Sequence, residues 1–162
     1  MIVRAAEPGE IGALARLWYD GWQDAHAAIL PPALRRDRTM QSLAERLNAE
    51  RADVRVIGPP GSPLGFCMVK GDELYQLYVA ASARGKGIAA VLIIDAEARL
   101  VRSGVATAWL ACAIGNERAA RFYEKSGWRR TGTVVSRLQT AEGPFDLDVW
   151  RYEKRLDVGP TG

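Results

Sequence analysis

The chain has one histidine and two cysteines among its 162 residues. A zinc site takes about four ligands, and one imidazole with two separated thiols does not supply them, so no structural or catalytic metal is expected. Cys67 and Cys112 stand in apolar, strand-like runs without CxxC spacing, which reads as two buried, reduced thiols. Long hydrophobic runs are also missing. The least polar stretch, Val105 to Ile114, is about half of the roughly 20 residues that cross a bilayer. The opening Met1-Ile2-Val3-Arg4-Ala5-Ala6-Glu7 has neither the apolar block nor the small-residue cleavage site of an export signal. A soluble, cytoplasmic protein without a membrane partner is expected.

Charge of one sign is not concentrated either. The formal net charge is +3, and the densest basic group, Arg35, Arg36 and Arg38, is not interleaved with aromatics as a nucleic-acid groove would be. The arginines read as dispersed and solvated, and no nucleic-acid partner is expected. There is no repeat, low-complexity segment or linker. With 48% hydrophobic residues the chain can bury one core, so a single domain over 1–156 is expected, with 157–162 a frayed tail.

What is present is an orderly alternation of elements. Ile2 to Ala6 suits a short strand, and Ile11, Leu14, Ala15, Leu17, Trp18 and Trp22 follow Pro8 at helical spacing. Pro31-Pro32 breaks the chain, leaving an irregular wall before a second helix from Thr39 to Arg51, with Thr39 as cap and Leu43 and Leu47 inward. Val54–Ile57, Leu64–Lys70 and Glu73–Val79 read as strands joined by tight turns, hence an antiparallel meander. A helix from Gly87 to Ser103, a strand from Ala106 to Ala113 and a helix from Asn116 to Ser126 follow, with Gly104 and Gly127 as stops. Strands near Trp128–Leu138 and Phe145–Arg155 close the chain around a turn containing Gly143-Pro144. The sum is an α/β (α+β) domain, a mixed, largely antiparallel sheet of about seven strands with a parallel step and helices on both faces.

One segment points to chemistry. Five residues after Val79, Arg84-Gly-Lys-Gly-Ile-Ala89 opens the long helix. Glycines let successive amides turn into one concavity, and a helix N-terminus adds partial positive charge, so the loop suits an anion such as a diphosphate. Gly85-Lys86-Gly87-Ile88-Ala89-Ala90 formally fits a dinucleotide fingerprint, but the acidic residue due about 20 positions on is missing. A Walker loop needs Ser or Thr after Gly-Lys, and Gly87 stands there.

The order Arg84-x-x-Gly87-x-Ala89 after a strand resembles the Q/R-x-x-G-x-G/A acetyl-CoA loop of the GNAT superfamily of N-acetyltransferases. Asn116-Glu-Arg-Ala-Ala-Arg-Phe-Tyr-Glu-Lys-Ser-Gly-Trp128 is similar to that family's N-x-x-A…F-Y-x-x-x-G-F/W segment, at the family's distance from the first motif. Together they cover residues 64 to 130, and Trp150–Leu156 resembles the closing strand of many members. The resemblance implies acetyl-CoA as co-substrate and a central parallel pair that splays. The pantetheine arm would bond as a pseudo-strand to backbone groups of Leu77, Tyr78 and Val79. The diphosphate would lie on the amides of Arg84, Gly85, Lys86, Gly87, Ile88 and Ala89.

Asn116, Ala120 and Tyr123 fall at i, i+4 and i+7, so one helix face could present all three to the cofactor, with Phe122 pointing elsewhere. By the same resemblance Asn116 bonds the pantetheine arm and Tyr123 protonates the departing thiolate. The other reading of Tyr123 is a core aromatic. An amine must lose a proton to attack a thioester, and Glu73 lies eleven residues before Arg84, where several family members carry a strand carboxylate in that role. It would share a strand face with Tyr75, Leu77 and Val79; the alternative is an exposed acid beside the Gly71-Asp72 turn. A backbone amide of Leu77 or Val79 would polarise the carbonyl.

Trp22, His26 and Tyr75 are the expected walls of the acceptor pocket, and Trp18, Tyr19 and Trp22 are compatible with a cationic or an apolar amine. The resemblance therefore implies direct transfer of acetyl from acetyl-CoA to a small-molecule or peptide amine. The alternatives are an enzyme acting on protein lysines or N-termini, and a non-catalytic acyl-CoA sensor, which would need neither Tyr123 nor Glu73. Relatives also suggest a homodimer through the final strands.

Overall fold

A computed structural model describes residues 1–156; the expected frayed tail at 157–162 lies outside the described residues. Seven strands form one sheet in the order β1-β2-β3-β4-β5-β7-β6. They are β1 (Val3–Ala5), β2 (Val54–Ile57), β3 (Gly65–Lys70), β4 (Glu73–Val79), β5 (Thr107–Ala113), β6 (Arg129–Thr140) and β7 (Gly143–Arg155). Only β4 and β5 run parallel; every other neighbouring pair is antiparallel. The mixed sheet read from the turn lengths is thus observed. A parallel neighbour needs a crossover, and helix α4 (Ile88–Arg102) supplies it between β4 and β5.

Strand alternation sends successive side chains to opposite faces. Val54, Val56, Phe66 and Met68 go to one face, under α1 (Ile11–His26), α2 (Pro32–Asp37) and α3 (Met40–Ala49). Cys67, Leu110 and Cys112 go to the other, under α4 and α5 (Glu117–Lys125). Each fully buried Leu, such as Leu14, Leu43 and Leu92, contributes about 1.5–3 kcal/mol relative to exposure.

Local signals set the helix starts. Thr39 caps α3, its hydroxyl accepting the Ser42 amide at 3.0 Å while Ser42 Oγ accepts the Thr39 amide at 3.0 Å. Ahead of α1, Glu10 is buried against Arg4, whose guanidinium donates to both carboxylate oxygens at 2.6 and 2.9 Å. That hydrogen bond holds the Glu10 carboxyl below its ordinary range and ties β1 to α1.

Three details depart from expectation. The stretch after Pro31 is not wholly irregular: Pro32 begins α2, because a proline in the first turn lacks only an N–H that the helix would leave unbonded. The last hairpin turns at Ala141-Glu142, so Gly143 and Pro144 belong to β7. β7 meets β5 only from Val149 onward, leaving Pro144 beside an open edge, where its missing donor breaks no ladder. Finally, the β3–β4 register slips between Met68 and Val69, which pair with Gln76 and Leu74 and leave Tyr75 as an extra residue. Such a bulge shifts the alternation by one. Leu74, Leu77 and Val79 face the α4 side, whereas Tyr75 and Tyr78 face the α1 side. Glu73 therefore does not share a face with Leu77 and Val79, but lies with Tyr75 and Tyr78.

Helix α1 approaches β4 closely at Gly21, where an added Cβ would lie 2.6 Å from Tyr78 Cδ1. Overpacking costs about 1–3 kcal/mol, more than the roughly 0.5–1 kcal/mol by which alanine favours a helix over glycine. Gly21→Ala is therefore expected to lower the urea midpoint without changing the slope of the transition.

Candidate active site

The sheet opens at its centre. β4 and β5 are in register only at Glu73↔Trp109, where the Trp109 amide donates to the Asp72 carbonyl at 3.1 Å and Trp109 Nε1 donates to Asp72 Oδ1 at 2.9 Å. Beyond this pinned end β4 continues to Val79 on β3 and β5 to Ala113 on β7, with no further register between them among the described residues. The Ala80 amide donates to Leu64 on the β3 side at 2.8 Å. Backbone groups alternate along a strand, so the amides of Leu77 and Val79 face the gap.

At the wide end of the gap lies the glycine loop. Gly85 and Gly87 have φ of +79° and +80°, a region that side-chain-bearing residues avoid. Gly87 is the N-cap of α4 and no side chain caps it. The first amides of a helix lack internal partners, so those of Ile88 and Ala89 are free to bind an anion. The Arg84 amide is instead turned to the Ala81 carbonyl at 3.4 Å.

A cavity of about 370 Å³ runs along this edge, lined by Leu77, Val79, Arg84, Gly87, Asn116 and Tyr123, among others. The Arg84 guanidinium pairs with Asp24 of α1 at 2.7 Å, and Arg118 reaches the same carboxylate at 3.3 Å. Lys86 is exposed and does not line the cavity, while the Ile88 side chain is buried in the core. Asn116 precedes α5 as its N-cap, with Oδ1 accepting the Ala119 amide at 3.3 Å. This places Ala119, Phe122 and Tyr123 on the cavity and turns Ala120 into the core at 1% exposure. The expectation that Ala120 faces the cofactor and Phe122 points away is corrected: counting i, i+4, i+7 from Asn116 assumed a helical residue, and a cap has no helical phase.

A second cavity, of about 190 Å³, reaches from the α1 side of the sheet to Leu77 and Cys112 and is lined by Trp22, His26, Arg38, Arg46, Glu73 and Tyr75, among others. Tyr123, Leu77 and Asn116 line both cavities, so the two meet beside the Tyr123 ring. Tyr123 packs near Trp128 and Tyr152, and its hydroxyl makes no hydrogen bond among the described residues. Burial raises that phenol well above its ordinary value, keeping it protonated.

The Glu73 carboxylate makes no hydrogen bond or ion pair among the described residues, and burial pushes it up to about 7. Burial pushes His26 the other way, to about 4. A base works best near the ambient pH, which favours Glu73 over His26. The Tyr78 ring turns onto Phe66 and Trp18, with centroids 5.9 and 6.5 Å away.

Two cavity residues were not foreseen. Arg38, read as solvated, is 8% exposed, and Arg46 lies 5.1 and 5.6 Å from the ring centroids of Trp18 and Tyr75 while donating to the Tyr75 hydroxyl. Of Trp18, Tyr19 and Trp22, expected to be compatible with a cationic or an apolar amine, Trp18 is thus under the protein's own guanidinium, whereas Trp22 lines the cavity with no such contact among the described residues. An Arg at α3 spacing gives no sequence signal of this, because the Trp18 and Tyr75 partners come from distant elements.

Among the described residues no group of His, Cys, Asp and Glu could hold a metal ion, and no helix is long and apolar enough to cross a membrane. A sheet parted beside an uncapped helix, with a tyrosine at the junction of two cavities, is the frame of an acyltransferase fold. The chain belongs to the acetyltransferase (GNAT) family, whose model matches residues 13–128. An uncharacterized N-acetyltransferase of Mycobacterium bovis is 34% identical over 100 residues, and its counterpart in Mycobacterium tuberculosis matches equally. The match spans 59% of this chain and 64% of the length of those relatives. An N-acetyltransferase structure from Staphylococcus aureus superposes with a TM-score of 0.73 at 22% identity, over 96% of this chain and 98% of that one. The paia N-acetyltransferase of Thermoplasma acidophilum, solved in complex with coenzyme A, gives 0.64 at 18% identity over 95% and 98%. At such identities the likeness is one of fold.

Cys112 lines the second cavity, so a covalent route through its thiol has to be weighed. Burial pushes Cys112 up to about 11 and Cys67 up to about 12, and a protonated thiol is a poor nucleophile. Iodoacetamide at pH 8 is expected to leave both unlabelled in the folded protein and to label both in urea, read by mass spectrometry. Fast labelling of native Cys112 would contradict the assignment.

Proposed function

We propose that the chain is an N-acetyltransferase that moves the acetyl group of acetyl-CoA to the primary amine of a small molecule, by direct attack in a ternary complex. The observation that carries this reading is the convergence of the open edge of β4, the uncapped amides of α4 and the Tyr123 side chain where the two cavities meet. The diphosphate fits the α4 amides, with Arg84 and Arg118 exchanging Asp24 for phosphate oxygens. The pantetheine arm fits the gap as a pseudo-strand on Leu77 and Val79. The smaller cavity supports a small acceptor. The hairpin tip is held to α2, the Ala141 amide donating to Asp37 at 2.8 Å, next to Arg38, which lines the cavity.

In this mechanism Glu73 takes the proton of the amine, directly or through water. The amine nitrogen attacks the thioester carbon, forming the C–N bond, and the carbonyl oxygen gains charge against an amide of Leu77 or Val79. The C–S bond then breaks and Tyr123 gives its proton to the departing thiolate. Cys112, protonated, takes no part.

The first test is a thermal shift on adding coenzyme A, followed by thiol release from acetyl-CoA with a panel of amines; the absence of both signals would end the proposal. Tyr123→Phe is expected to lower kcat about 100-fold with coenzyme A affinity little changed, whereas a pure acyl-CoA sensor would show no rate to lose. Glu73→Gln is expected to lower the rate by a similar factor above pH 7. The base must be unprotonated, so the wild-type advantage over Glu73→Gln should shrink about tenfold per pH unit below about 7. A ratio that does not change with pH would remove Glu73 from the mechanism.

A further inference from the structure

The smaller cavity holds more positive charge than the reaction requires. Arg38 and Arg46 both line it, and Glu73 is the acid that lines it with them. Arg38 pairs with Asp37 at 2.9 Å, and the other oxygen of Asp37 is taken by the Ala141 amide. Asp37 is therefore committed to Arg38 and the hairpin tip. Arg46 enters no ion pair among the described residues; its contacts are the faces of Trp18 and Tyr75 and the Tyr75 hydroxyl. His26 is held neutral at pH 7 by burial, and Glu73 has to stay free for the proton of the amine. One guanidinium charge is left without a counter-ion in a half-buried place, an arrangement that costs stability unless a ligand supplies the anion. The two guanidiniums are also close enough for Arg46 to oppose the charge on Arg38.

We propose that Arg46, with Arg38 beside it, forms an anion subsite that selects acceptors carrying a carboxylate, so that the amine acetylated is a small amino-carboxylate. This rests on the acetyl-transfer reading above and narrows its acceptor. A guanidinium presents paired N–H donors in the geometry of a carboxylate, and Arg46 has one donor committed to Tyr75. A polyamine or aminosugar would instead bring a second ammonium against Arg46, whose guanidinium already lies over the rings of Trp18 and Tyr75.

The test uses the wild-type protein with matched acceptors of equal chain length: 4-aminobutyrate, butylamine and 1,4-diaminobutane, and likewise glycine, β-alanine and L-glutamate beside the corresponding alkylamines. Thiol release from acetyl-CoA is followed for each. At least one amino-carboxylate is expected to exceed its matched amine and diamine in kcat/KM by about tenfold to a hundredfold, the worth of a charged hydrogen-bonded contact. Arg46→Gln is expected to raise KM for that acceptor and erase the preference, and Arg46→Lys to restore part of it, with coenzyme A binding as the control for folding. Amines or diamines used as well as amino-carboxylates by the wild-type protein would overturn the subsite, as would a preference that survives in folded Arg46→Gln. Transfer to no amine at all, with no binding of coenzyme A, would instead overturn the acetyl-transfer reading beneath it.

Discussion

The parting of β4 from β5 is the constraint on which the site depends. Backbone amides and carbonyls at the centre of a sheet ordinarily bond across to the next strand, and leaving them unpaired costs free energy. Here the rest of the sheet holds the strands apart: β5 is paired with β7 along Thr107–Ala113 and β4 with β3 along Glu73–Val79. Asp72 bonds both nitrogens of Trp109 and fixes the closed end. What would be a defect in an ordinary sheet is a row of directed donors beside a cavity, and an extended ligand with its own amides can complete the ladder.

A bulge of a single residue then decides which face carries the acid. Without Tyr75 as an extra residue, Glu73 would lie on the face of Leu77 and Val79, under α4. With it, Glu73 opens into the smaller cavity on the α1 side, while Leu77 and Val79 keep their side chains in the other core. The strand thus presents backbone donors to one partner and a carboxylate to the other.

Burial does the electrostatic tuning. The same desolvation that lifts the Glu73 carboxyl to about 7 drives His26 down to about 4, because one group is charged when it loses a proton and the other when it gains one. Two titratable groups in one cavity are thereby shifted in opposite directions by a common cause. The Arg46 guanidinium lies over the rings of Trp18 and Tyr75 in the same cavity.

The sequence alone determined whatever local chemistry fixes. Glycines at positions 85 and 87, a helix opening behind them, Thr39 as a cap, the hairpin lengths and the mixed sheet with one parallel step all depend on neighbours a few residues apart. They were legible for that reason, and the second motif put Tyr123 beside the cavities it lines. Only the tertiary structure decided which faces those residues present. The bulge at Tyr75 is set by pairing with β3, the turning inward of Ala120 by the way α5 docks after its cap, and the burial of Arg38 and Arg46 by aromatic and acidic partners from elsewhere in the chain. Side-chain direction and local dielectric are properties of packing between distant segments, and no periodicity in a single strand or helix encodes them.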